Sequence, residues 1–409
     1  MMTSLPAMHS VAVALMDWAW TGGMVLAGVL LVGFLLLYAR AVLSKYVRIM
    51  INILDDVAPT VENGCNGGAN GQEDAPLNVD EVTFRATDGH LLGGMILTAQ
   101  QVDPNGDRSN HSRAIAIPAY RGTVVFAHEF GTDRASCVRY CRALLEAGFD
   151  VFAFDFRGHG GSAEERGYRP RQWPSDRELA DMLGAIAFIG SHLEGRGLPR
   201  DIGLFGLSRG AGAAILASVG IDSVRAIVTD GAYSSDTVLE YLMRRFATIF
   251  ARIRVVAENH PPVFWRFLRW LLFRECARRF NCHFPSVRKA VVRLGRRPIL
   301  LIHGEKDSYI PIVQSQMLFD LARGPKSLWI VPGATHNQGV LVQPTEYARR
   351  VLAFFEEHLA IKPAETSLLL RRSARLEEVP VDIGTRVAKR ALATRPPGVL
   401  GSARQRSSP

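Results

Sequence analysis

The chain has no C-x-x-C pair. Its five cysteines, Cys65, Cys137, Cys141, Cys276 and Cys282, are scattered and odd in number, which argues against a zinc site. Cys137 and Cys141 lie four apart on one expected helix, as ordinary thiols on a shared face do, and this usage suits a reducing compartment. No internal repeat is present, and no nucleic-acid-binding motif accompanies the net charge of +9. Apolar residues are not scarce: at 48% hydrophobic and 21% charged the chain can bury a sizeable core, which a disordered chain cannot. A length of 409 residues suggests two or three domains, although α/β folds often run past ~250 residues as one unit.

Charge is also missing from Trp18 to Ala39, a 22-residue apolar stretch. As a helix it would be about 33 Å long, enough to cross a hydrocarbon core. Trp18, Trp20 and Tyr38 stand at its ends, where amphipathic rings favour the headgroup level. A cleaved signal peptide is the competing reading, since Ala39-Arg40-Ala41 fits a small-x-small site. Against it, no Lys or Arg precedes the apolar run, and the run is too long for a signal core. Arg40, Lys45 and Arg48 follow the span, so the positive-inside rule places the bulk of the chain on the cytoplasmic side. Residues 1–57 form this N-terminal segment. A Gly-, Asn- and Pro-rich linker is expected over 58–79, and a solvated basic tail over 362–409.

Between them, residues 80–361 alternate short apolar runs with helical periods. VTFRA (82–86) and LLGGMIL (91–97) flank a turn at Asp88-Gly89 and read as a hairpin. TVVFAH (123–128), DVFAFDF (150–156), IGLFG (202–206), VRAIVTD (224–230), PILLIHG (298–304) and SLWIVPG (327–333) read as buried strands separated by helices. This predicts a doubly wound, mostly parallel sheet, whose chemistry sits at the C-terminal strand ends.

At one such end stands Gly206-Leu207-Ser208-Arg209-Gly210, between a strand and the small-residue helix AGAAILASV. A serine on a strained turn needs glycine on both sides, and the helix behind it points its positive end toward developing negative charge. Ser208 is the expected nucleophile. It requires a base, and the base an orienting acid. His336 follows the last strand in PGATHNQ, and Asp307 follows the preceding one in HGEKDSYIP. Asp230 and Glu305 remain rival acids. The oxyanion donors are expected to be the backbone N–H groups of Arg209 and, from the loop after VVFAH, Phe130.

Together these residues resemble the α/β-hydrolase superfamily, more narrowly its microbial serine hydrolases of the esterase, lipase and peptidase-like type. Asp155-Phe156-Arg157-Gly158-His159-Gly160-Gly161-Ser162 is similar to the D-x-R-G-x-G-x-S loop of many such enzymes, where the resemblance implies a structural role for His159. The resemblance spans roughly 80–360 and implies an acyl-enzyme mechanism with no metal or organic cofactor. One departure is Glu129, where the family usually has glycine before the oxyanion residue. A carboxylate there could crowd or repel an anionic intermediate.

The resemblance also implies a helical cap over about 234–297. Within 240–297 fourteen Lys and Arg face three Glu, and VFWRFLRWLLFRE (263–275) interleaves aromatics with arginines. Such a segment suits a membrane interface or a cap helix packed over the site with exposed arginines, and both stay open. Two function classes follow. One is a membrane-anchored hydrolase of an ester, thioester or amide, acting on a small-molecule or lipid-like acyl substrate. The other is a catalytically silent scaffold tethered to the membrane as a binding module.

Overall fold

The computed structural model describes residues 78–98, 120–250 and 261–361, most of 18–41, and single positions as far as Ile51. The expected tail, Cys65 and all but the last two residues of the expected linker lie outside the described residues. Near the N-terminus, Trp20–Tyr38 is one helix long and apolar enough to cross a membrane, and none of it is buried against the protein.

The body is an eight-stranded sheet: β1 (Asn78–Arg85), β2 (Leu91–Thr98), β3 (Gly122–Ala127), β4 (Phe149–Phe154), β5 (Ile202–Leu207), β6 (Val224–Asp230), β7 (Ile299–Gly304) and β8 (Lys326–Val331). Their order is β1-β2-β4-β3-β5-β6-β7-β8. Only the β1–β2 hairpin and the β2–β4 pair are antiparallel; β4 through β8 run parallel. The hairpin starts earlier than its apolar pattern implies, because Asn78, Asp80 and Glu81 pair with β2 at a solvent-facing edge where polar side chains cost nothing.

Two helical layers cover the sheet, and the period of two along each strand decides which layer a side chain meets. On β3, Val125 and Ala127 join one core and Val124 and Phe126 the other; on β7, Ile299 and Leu301 oppose Leu300 and Ile302. The first core is closed by α2 (Asp176–Gly195), α3 (Arg209–Ala217), α6 (Val287–Arg293) and α7 (Val313–Leu321). The second is closed by α1 (Cys137–Glu146) and α9 (Pro344–His358), with Cys137 and Cys141 buried together on α1 as expected. Strands buried on both faces must be apolar throughout, which is why β3, β4, β5 and β7 show no alternation in sequence.

The insertion after β6 carries α4 (Ser235–Phe250) and α5 (Pro262–Phe280). They pack through a third cluster that includes Val238, Leu239, Trp265, Leu268 and Leu272. Its last helix, α6, departs from the expected cap: Val287, Ala290 and Val291 return to the main core against α3 and α7. The cap therefore ends near Cys282, before the expected 297.

The tightest point in the body is Gly210, where an added Cβ would lie 2.2 Å from the Ala127 carbonyl oxygen and 2.6 Å from that of His128. Gly210→Ala must push α3 off β3 and is expected to cost about 3 kcal/mol or more. A denaturant midpoint unchanged from the parent would contradict this packing.

Candidate active site

The strand order reverses at β3: the chain leaves it for β4 on one side and resumes with β5 on the other. This is the crevice where parallel sheets bind ligands, and the polar residues converge there. Ser208 caps α3 with φ 48° and ψ −109°, a conformation rare for a residue with a side chain. The glycines on either side make it possible. A Cβ at Gly206 would meet the Ala211 backbone at 2.6 Å, as that at Gly210 meets Ala127. The Ser208 N–H donates to the Asp230 carbonyl at 2.7 Å, which fastens the turn to β6.

The Ser208 hydroxyl lies 2.8 Å from His336 Nε2, and His336 Nδ1 lies 2.6 Å from Asp307 Oδ2. The other Asp307 oxygen accepts the N–H groups of Tyr309 at 2.9 Å and Ile310 at 2.8 Å. Burial works to raise the Asp307 carboxyl. The hydrogen bond and charge of His336, with the Ile310 N–H and His303, outweigh it and hold the group below its ordinary value. The structure thus brings together Ser208, His336 and Asp307, which lie far apart in sequence. Gly304 makes the approach possible, since a Cβ there would stand 2.4 Å from the Thr335 carbonyl oxygen in the loop leading to His336.

The rival acids point elsewhere. Asp230 is buried, accepts the Tyr347 hydroxyl at 3.0 Å and is pushed up to about 6 by burial. Glu305 accepts the Gly333 N–H at 2.8 Å. Glu129 is likewise committed, to Asn337 Nδ2 at 2.5 Å. Asn337 follows His336 with φ 53°, and its carbonyl accepts the Tyr140 hydroxyl at 3.1 Å. The carboxylate read from sequence as crowding the oxyanion loop therefore braces the histidine loop.

The Arg209 N–H is the first of α3 and has no acceptor within the helix. Its side chain is fully buried, one residue after Ser208. The guanidinium sits 5.1 Å from the Phe130 ring and 5.0 Å from the Phe156 ring, donates to the Arg171 carbonyl, and lies 3.6 Å from Glu178. It also donates to His159 Nε2 at 3.2 Å, leaving the His159 proton on Nδ1, toward the Arg157 carbonyl at 3.1 Å. Glu178 closes the capping box of α2 with Ser175 and accepts the Tyr168 hydroxyl. In the Asp155–Ser162 loop, Asp155 accepts the N–H groups of Arg134 and Gly161, while Arg157 pairs with Asp181, Glu165 and Asp88. These bonds shape the loop.

Some site features escape sequence reasoning. Tyr309 packs edge-to-face on His336 at 5.3 Å, and its place two residues after Asp307 was the available signal. Tyr347 and Glu178 sit inside ordinary helical periods, which carry no such mark. Among the described residues no group of three or more His, Cys, Asp or Glu side chains could hold a metal ion.

A serine on a strand-to-helix turn, bonded to a histidine that is bonded in turn to an aspartate, all at the ends of a mostly parallel sheet, marks the α/β-hydrolase class. The chain belongs to the alpha/beta hydrolase family, whose model matches residues 124–350. It is 26% identical over 264 residues to the uncharacterized protein YfhR of Escherichia coli K12, covering 64% of this chain and 74% of that one. It is 25% identical over 241 residues to the uncharacterized protein YqkD of Bacillus subtilis, covering 57% and 71%. With the lysophosphatidylserine lipase ABHD12 of Danio rerio it shares 27% identity over 198 residues, 47% of this chain and 44% of that protein. Among solved structures, the Pyrococcus furiosus esterase Pf2001 is similar with a TM-score of 0.48 and 20% identity, over 69% of this chain and 92% of that one.

Three histidines near the site are held neutral. Burial lowers His128 and His303, and burial with the Arg209 charge takes His159 to about 3. A histidine neutral when folded but protonated when unfolded contributes stability that is complete above about pH 6.5 and lost as pH falls toward the folded value. Asp181 and Asp230, both raised to about 6 by burial, oppose this, because the folded chain takes up their protons first. His159→Gln is therefore expected to flatten the acid loss below about pH 6.5 by up to about 1.4 kcal/mol per pH unit. Denaturant titrations of the full-length protein in detergent at several pH values measure this. Parallel losses in parent and variant would contradict it.

Proposed function

We propose that the protein is a membrane-anchored serine hydrolase that cleaves an ester, thioester or amide through an acyl-enzyme. The observation that carries this reading is the continuous hydrogen-bonded line from Ser208 through His336 to Asp307. In this mechanism His336 Nε2 takes the hydroxyl proton as Ser208 Oγ attacks the acyl carbon. Asp307 fixes the proton on Nδ1 and stabilises the imidazolium. The N–H groups of Arg209 and Phe130 receive the tetrahedral oxyanion. His336 then gives its proton to the leaving group, and water repeats the sequence to release the acid. The ordinary crowding objection to Glu129 loses force, since its carboxylate is engaged by Asn337.

An apolar or membrane-derived acyl substrate fits best. The apolar helix Trp20–Tyr38 supports a membrane site of action, and one relative is a lipase of lysophosphatidylserine. Arg40, Lys45 and Arg48 after the span support a cytoplasmic side for the hydrolase body under the positive-inside rule.

Ser208→Ala should abolish fluorophosphonate labelling and ester turnover, with a loss of several orders of magnitude. His336→Ala should match it, and Asp307→Asn should leave a measurable remnant because the base persists. Retention of a tenth of the activity in Ser208→Ala would point to the silent-scaffold alternative or another nucleophile. A silent Asp307→Asn beside a crippled Asp230→Asn would move the acid to Asp230.

The full-length protein should also resist extraction by high salt and come off membranes only with detergent, because screening weakens surface charge but not a spanning helix. Release by salt would refute the anchor, and a mature N-terminus near residue 42 would identify a signal peptide.

A further inference from the structure

Large apolar side chains left in water are not spread evenly over the body. Apart from Val79 and Leu91 on the β1–β2 edge, every strongly exposed one among the described residues of the body lies on the cap or on the segments just after Asp307 and His336. The cap contributes Val263, Phe267 and Trp270, which are 62%, 52% and 54% exposed. Around the site stand Tyr309, packed on the His336 ring, with Val313 and Leu341. A concentration of this kind marks an interaction surface.

Helix α5 shows what the surface is built to meet. Its inner face, Trp265, Leu268, Leu272, Cys276 and Phe280, is buried at helical spacing. Its outer face changes character along the axis. Val263, Phe267 and Trp270 occupy the first half, with the two rings stacked at 5.9 Å. Arg274 then covers Trp270 at 5.6 Å, and exposed Arg278 follows. Aromatics beside guanidinium groups with apolar stems match a headgroup boundary, with rings among the upper acyl carbons and charges among phosphates.

The chain itself ties the cap to the apolar helix. Val47 and Ile51, which follow the apolar helix, are buried in the same cluster as Leu239, Trp265, Leu268 and Leu272 of the cap. Val47 follows Tyr38 by only nine residues, a reach of at most about 30 Å even fully extended. The cap is therefore the part of the body held closest to the lipid.

We propose that the outer face of α5 and the apolar rim around Tyr309 dock onto an anionic lipid bilayer, so that the mouth of the Ser208 site opens onto the membrane surface. This rests on the anchored reading of residues Trp20–Tyr38 and supplies a route by which an acyl chain enters from the bilayer without crossing water.

The test uses full-length protein carrying an environment-sensitive fluorophore on Phe267→Cys, in nanodiscs holding one copy each. Discs of phosphatidylcholine alone are compared with discs containing phosphatidylglycerol. The emission should shift to the blue, most in the anionic discs, while a label on Leu91→Cys keeps its aqueous spectrum. An aqueous spectrum at position 267 in anionic discs overturns the proposal. Equal shifts in the two kinds of disc overturn the choice of an anionic surface. A shift seen only where several copies share a liposome overturns it in favour of self-association. Failure of the anchor reads out separately, as protein that elutes free of discs. Because the spectrum does not need catalysis, Ser208→Ala should show the same shift. In the active protein, the double variant Phe267→Glu with Trp270→Glu should raise the half-saturating concentration of a bilayer-embedded ester roughly tenfold, since burying one aromatic ring is already worth that factor. Turnover of a short water-soluble ester should stay as in the parent, and parallel losses on both substrates overturn the docking role.

Discussion

Everything at this site depends on how closely α3 is pressed against the end of β3. Gly210 brings the helix to within a side chain's exclusion of the Ala127 and His128 carbonyls, and Gly206 does the same beneath Ala211. That contact forces the intervening residue into the left-handed region and lifts its hydroxyl off the sheet. It also sets the first turn of α3 against the loop that follows β3, at the His128 carbonyl. With a Cβ at either glycine the turn would open, and the serine would lose both its helix terminus and its distance to His336.

Around that contact the protein arranges charge in two ways. Asp307, just past β7, is ionised below its ordinary range by partners that favour the anion, whereas Asp230, at the end of the neighbouring β6, is raised by burial and bonded to a phenol. Similar carboxyl groups at neighbouring strand ends thus acquire different characters from their surroundings alone. The buried Arg209 does the converse for imidazoles. Its guanidinium occupies His159 Nε2 and works with burial to keep His159 and His128 uncharged, while a separate imidazole, His336, contacts the Ser208 hydroxyl.

Much of this was legible before any coordinates. Buried parallel strands must be continuous apolar runs, so β3 to β7 announced themselves, and the elbow glycines have few other uses. Ser208, His336 and Asp307 could be picked out because the topology expects such residues at particular strand ends, and the fold joins them in one hydrogen-bonded line. What sequence could not convey was partnership. Whether Glu129 repels an oxyanion or braces Asn337 depends on a side-chain direction of a few ångströms. The end of the cap was missed because α6 is as basic as the helices before it, and only its buried face, Val287, Ala290 and Val291, returns it to the core. The early start of β1 was hidden by its polar edge residues. Composition reports exposure, and both errors came from reading exposure as location.

The return of α6 to the body has a consequence for how such proteins diversify. The cap leaves the sheet after Ser234 and rejoins it by Ser286, whose hydroxyl caps α6, and both serines are tied to the same carboxylate of Asp236. The two ends of the insertion are clasped together at the sheet, independently of what lies between them. Such a clasp lets the intervening helices be lengthened, shortened or exchanged while the fold and the serine turn keep their stability. The insertion can then change as a cassette, at a rate the sheet beneath it would not tolerate.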